Sequence, residues 1–169
     1  MNTNALSVAN YFIELAAKDK KTICLLGLIK RVYIAHGFAL ALLGHGLLDE
    51  RFDKVEAWKY GPVIPSVYHS FKHYKSNPIK ERTVVMEWDD INGKSVFETP
   101  ELTKEDEKSI VEMVWKRYAS FSDNELVSLT HKQGSPWNIC FKANKNVEIP
   151  DELTQLYYKR LIDNVIKNR

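Results

Sequence analysis

Ala57-Trp58-Lys59-Tyr60-Gly61-Pro62-Val63-Ile64-Pro65-Ser66-Val67-Tyr68 sets two large aromatics beside a Gly-Pro turn and then launches a helix. Upstream, residues 52–60 read as an extended segment with Val55, Ala57 and Phe52 on one side, and Gly61-Pro62 breaks it. Downstream, Pro65 suits the first turn of a helix over 64–75, and Pro78 lies just beyond it. A companion stretch, Thr130-His131-Lys132-Gln133-Gly134-Ser135-Pro136-Trp137, pairs an N-cap serine with a proline at the first helical position. Neither stretch is a catalytic motif, and together they point to a binding protein.

Working outward, apolar residues at helical spacing (Leu6, Ala9, Phe12, Ile13, Ala16) predict a first helix over 4–18 with Asn4 as its cap. A second helix over 23–43, capped by Thr22 and ended by Gly44 and Gly46, is apolar on most sides and belongs at the centre of the core. Two β-rich runs, 83–88 and 95–97, flank Asn92-Gly93 and predict a hairpin. Thr103 is expected to cap a helix whose acidic first turn, Glu105 to Glu107, suits the positive end of the dipole. Its apolar face is Ile110, Val111, Val114, Trp115 and Tyr118. Ser122-x-x-Glu125 is a capping box for a helix over 123–131, and Ser135-Pro136 opens another over 136–143. Pro150-Asp151 starts the last, with Leu153, Leu156, Tyr157, Leu161 and Val165 as its apolar face. The expected architecture is mainly α with a small antiparallel β element: one domain over 1–169, six or seven helices and a β-hairpin.

The chain has 169 residues, enough for one domain with a real core. Its net charge of +2 sets up no global field for nucleic acid. Residues 51–82 carry seven Lys/Arg against three Asp/Glu, and residues 101–125 seven acids against four bases. Such blocks are solvated faces or partner-binding faces. Cys24 and Cys140 lie far apart among apolar neighbours and read as buried thiols of a reducing compartment. No signal peptide pattern opens the chain, so a cytoplasmic location is expected. The apolar run 23–48 is interrupted by Lys30, Arg31, His36 and His45, which argues against a membrane span.

The search for chemistry returns little. Gly44-His45-Gly46 lacks the Lys-Ser/Thr of a phosphate loop, and Gly-x-Ser-x-Gly is absent. His69 and His73 are four apart, but Lys72 and Lys75 beside them make an exposed basic helix face the simpler reading than a metal site. Cys140 and His131 fall on separate helices with no orienting acid. His36, within an apolar helix, reads as a core histidine with one satisfied nitrogen. No catalytic residue, metal or cofactor is expected. Trp58, Tyr60 and Trp137 suit core packing and interface anchoring equally. A winged-helix reading would make the 82–98 hairpin the wing. Its Glu87, Asp89, Asp90 and Glu98 oppose phosphate, leaving the basic 64–75 helix as the better DNA candidate.

Four stretches in order resemble the Panacea domain, the SocA-like antitoxin family often described as phage-associated. They are Val8-Ala9-Asn10-Tyr11-Phe12-Ile13; Lys30 with Tyr33-Ile34-Ala35-His36-Gly37; residues 56–65 around Trp58-Lys59-Tyr60-Gly61-Pro62; and Leu129-Thr130-His131 with Gly134-Ser135-Pro136-Trp137. The family pattern Leu-Gln-Lys-Leu-Leu-Tyr stands here as Leu28-Ile29-Lys30-Arg31-Val32-Tyr33, with Ile29 at the Gln position and Arg31 at a usual Leu; if that Gln serves partner recognition, this chain recognises a different partner. The resemblance implies an antitoxin of a bacterial or prophage two-gene system. Such a protein binds a cognate protein toxin and has no enzymatic activity, and one family member delivers its toxin to a cellular protease. The expected partner-binding residues are Trp58, Lys59, Tyr60, Tyr68, Trp88 and Trp137. His36, Gly61, Pro62, His131, Ser135 and Pro136 are expected to hold the scaffold. In an alternative placement the family motif builds only the scaffold, and the 82–98 hairpin, with Trp88 and its acids, reads the toxin. The alternative function is a phage or operon regulator contacting promoter DNA.

Overall fold

A computed structural model describes residues 3–168. In chain order the elements are α1 (Ala5–Lys18), α2 (Leu25–Leu42), β1 (Glu56–Trp58), β2 (Gly61–Val63) and α3 (Pro65–Phe71), which tightens into a 3-10 turn at Lys72–Tyr74. There follow β3 (Val85–Asp89), β4 (Lys94–Glu98), α4 (Glu105–Tyr118), α5 (Asp123–Thr130), α6 (Pro136–Cys140), β5 (Val147–Glu148) and α7 (Asp151–Lys167). Among the described residues this gives a single, mainly α, α+β domain with seven helices, as expected, but with two small antiparallel sheets where one hairpin was expected.

α2 is the axis of the core. Thirteen of its residues are buried, on every side of the helix, and α1, α4, α5, α7, α3 and β2 all pack around it. By length and composition α2 is apolar enough to cross a membrane, yet 72% of it is buried inside this fold. The polar residues that interrupt it in sequence, Lys30, Arg31 and His36, are themselves buried. At Gly37 the missing side chain admits Tyr158 of α7: a Cβ there would lie 2.3 Å from the tyrosine ring.

Several ends follow local chemistry. Asn4 and Ser122 each close a capping box, and Ser135 caps α6 with Pro136 behind it. Thr22 and Thr103 do not cap: the positions before α2 and α4 are Cys24 and Lys104, neither with a side-chain cap bond. Glu107, expected in a solvated first turn, is buried; Thr3 donates to it, and the Lys104 ammonium lies 3.0 Å away.

Gly61-Pro62 does not end the extended segment. It begins β2, which folds back on β1 with Trp58 opposite Gly61 and Glu56 opposite Val63. Proline is tolerated because β2 is an edge of the sheet β2-β1-β5 and needs no further donor. Val55 and Ala57 face the core, whereas Phe52 lies in a turn and is exposed. The second hairpin forms as expected, but through a four-residue loop, 90–93. Gly93 (φ +59°) donates its N–H to the Asp89 carbonyl.

The apolar face expected on α7 is largely uncovered. Leu156, Leu161 and Val165 are exposed, and burial falls on Thr154 and Tyr158 in the first half of the helix. Cys24 and Cys140 are free and half-buried rather than fully enclosed; burial pushes both thiols up.

Candidate functional site

The sheet and the start of α2 build an open groove of about 520 Å³. Its floor is Leu25, Ile29 and Val63, and its wall is Trp58, Tyr60 and Tyr68. Lys59, Lys75 and Asp123 also line it and supply the charge. Four of the six expected partner-binding residues, Trp58, Lys59, Tyr60 and Tyr68, therefore meet at one place. Trp58 and Tyr68 pack edge to face with centroids 5.0 Å apart, a geometry favoured by the ring quadrupoles. The Trp58 indole N–H donates to Glu56 at 2.7 Å, and Lys54 pairs with the same carboxylate at 2.9 Å. Tyr60, at the tip of the turn, is 61% exposed.

Trp137 supports the groove without lining it. It stacks on His131, with centroids 3.6 Å apart and planes 1° apart, and also against Phe141, with centroids 4.8 Å apart. Trp88 lies apart, on the β3–β4 hairpin. Two of the family-motif residues, His36 and Ser135, are hydrogen-bonded into the fold. His36 Nδ1 accepts the Leu47 N–H at 3.1 Å, so Nε2 carries the proton and donates to Asp151 at 2.8 Å. Both ring nitrogens are thus satisfied, where one was expected. The Ser135 hydroxyl donates to the Thr130 carbonyl and accepts the Asn138 N–H.

Behind the groove lies a buried amine that sequence reasoning did not assign. Lys30 is fully buried, and its Nζ donates to the Pro62 carbonyl at 2.9 Å. No carboxylate lies within ion-pair distance of it among the described residues. Burial pulls it down from 10.5 to about 7, with Asp123 opposing. His131 is also lowered, by burial and by Lys30; the nearby Tyr60 backbone offsets part of that shift. Gly61 (φ +104°) separates the two: a Cβ there would lie 2.8 Å from Lys30 Nζ and 3.1 Å from His131 Nε2.

Chemically the groove is an apolar cleft with an aromatic rim. Its thiol, Cys24, is raised, not activated. Ile29 and Leu25 were missed as lining residues because α2 is apolar all round and gives no signal of which side faces outward; Asp123, at the start of α5, reaches the groove only through packing of distant segments. Lys30 did leave a trace, as a lone lysine inside an apolar helix.

The family described as "Antitoxin SocA-like, Panacea domain" matches residues 28–138, which include most of the groove. The antitoxin SocA of Caulobacter vibrioides (strain NA1000 / CB15N) is 32% identical over 138 residues, covering 82% of this chain and 70% of that protein. No solved structure matches. The motifs around Trp58 and Ser135, the length of the match and the identity agree: the chain belongs to the SocA-like, Panacea-domain antitoxin family.

Proposed function

We propose that this protein is a cytoplasmic antitoxin that binds a cognate protein toxin and neutralises it, with the aromatic groove as the principal docking site. The observation that carries the reading is the convergence of Trp58, Tyr60 and Tyr68 on one open apolar cleft. Large aromatics at the centre of an interface supply much of its binding energy, while a surrounding rim excludes water. A stable complex buries about 1,200–2,000 Å², so the groove receives an anchor side chain of the toxin and the surrounding surface completes the contact. Inhibition is then steric and needs no catalysis. Delivery of the bound toxin to a protease, and binding to the operon's own promoter, are further roles compatible with this one.

The test is co-expression of this protein with the product of the adjacent gene in a bacterial host, followed by pull-down. Arrest by the neighbour alone, rescue by the pair and a stable complex support the reading. A harmless neighbour, or toxicity that persists without a complex, removes it. Rescue at unchanged toxin level indicates masking, whereas rescue with toxin loss that requires a host protease indicates delivery.

A further inference from the structure

Asn10 of α1 is buried, and its side chain clasps both ends of the β3–β4 segment. Its carbonyl oxygen accepts the Thr83 N–H at 2.8 Å, and its amide donates to the carbonyls of Thr83 and Pro100, each at 3.0 Å. Arg82 adds an ion pair to Glu14 at 2.6 Å. The tip is built as well: the Asp89 carboxylate accepts the N–H groups of Ile91 and Asn92 and the Asn92 amide.

Between base and tip the hairpin buries almost nothing. The register places Met86 opposite Phe97 and Trp88 opposite Ser95, so alternation puts Met86, Trp88 and Phe97 on one face. They are 66%, 63% and 75% exposed. Glu87 and Glu98 stand on the other face. An isolated two-stranded hairpin is marginal in water, and an exposed apolar patch of this kind marks an interaction surface. Here a buried asparagine and a built turn hold such a patch away from the core.

Charge selects the occupant. Glu87, Asp89, Asp90 and Glu98 oppose Lys94 alone. That sign repels nucleic acid and anionic lipid, and it sets a second copy of the same hairpin against like charge. A basic protein surface with an apolar cleft complements it. We infer that the hairpin is a second docking arm, which inserts the Met86–Trp88–Phe97 face into a basic surface of the same toxin that the groove engages. The inference rests on the antitoxin reading above and adds a second, independent contact.

The test measures affinity of the adjacent gene's product for the wild-type protein, Trp88→Ala, the triple reversal Glu87→Lys/Asp90→Lys/Glu98→Lys, and the groove variant Tyr60→Ala. Circular dichroism confirms that each folds. Trp88→Ala is expected to weaken binding at least tenfold. The charge reversal is expected to slow association and remove its salt dependence. If Tyr60→Ala weakens binding while both hairpin changes leave it unaltered, the arm is refuted and the groove reading survives. If the wild-type protein does not bind, both fall. A wild-type dimer that Trp88→Ala converts to monomer overturns the inference by assigning the face to self-association.

Discussion

The indole N–H of Trp137 donates to the backbone carbonyl of Trp58 at 2.7 Å, joining two sequence motifs 79 residues apart. The bond fixes the strand that carries the groove's aromatic wall. Trp137→Phe keeps an aromatic ring to stack on His131 and loses the donor. It is expected to lower stability by about 1 kcal/mol and to weaken toxin binding severalfold. Urea unfolding and calorimetric titration check it; unchanged affinity would mean that the wall needs no such support.

Tyr60 separates binding from folding. Because it is 61% exposed, Tyr60→Ala is expected to shift stability by no more than about 0.5 kcal/mol. Toxin affinity should fall tenfold or more, about 1.4 kcal/mol. Tyr68→Ala, which also removes the edge-to-face contact with Trp58, is expected to lower both. Equal affinity for wild type and Tyr60→Ala would place the anchor elsewhere.

Gly61→Ala meets two obstacles: a φ of +104° and a Cβ 2.8 Å from the buried Lys30 Nζ. The expected loss is about 1–3 kcal/mol, visible as a lower denaturation midpoint at unchanged slope. A stability equal to wild type would show that the β1–β2 turn relaxes freely.

Lys30 makes stability depend on pH in a defined direction. Folding lowers it from 10.5 to about 7, so between those values the unfolded chain holds a proton that the folded chain does not. Its contribution to stability is least below pH 7 and climbs as pH rises toward 10.5. His131, also lowered by folding, adds a rise of the same sign nearer its ordinary value of 6.5. Lys30→Met abolishes the alkaline part of the slope. Unfolding free energies of wild type and Lys30→Met at pH 6, 7.5 and 9 test this, and a constant difference across the three would contradict it.

The helices were legible where their ends carry their own chemistry, as at Asn4, Ser122 and Pro136, and where burial is total, as in α2. The β1-β2-β5 sheet was not. Its strands span two or three residues, too few to show alternation, and Val147 pairs with Ala57 across a long stretch of chain. The α7 face misled because helical spacing of Leu156, Leu161 and Val165 states only that a face exists, not that anything covers it. At the site, the Gly-Pro motif pointed to Trp58, Tyr60 and Tyr68. Ile29 and Asp123 join them only through packing between distant segments. Trp88, expected among the partner-binding residues, is exposed but stands on the β3–β4 hairpin, away from the groove.

α2 meets its partner Asp151 only 115 residues later in the chain, through His36. Synthesis runs at about 5–20 residues per second, so roughly 6–23 s separate the two at the ribosome. Throughout that interval the most apolar helix of the protein lacks the cover of α7. A newborn chain therefore presents part of the apolar surface of α2 to its surroundings until α7 emerges to cover it.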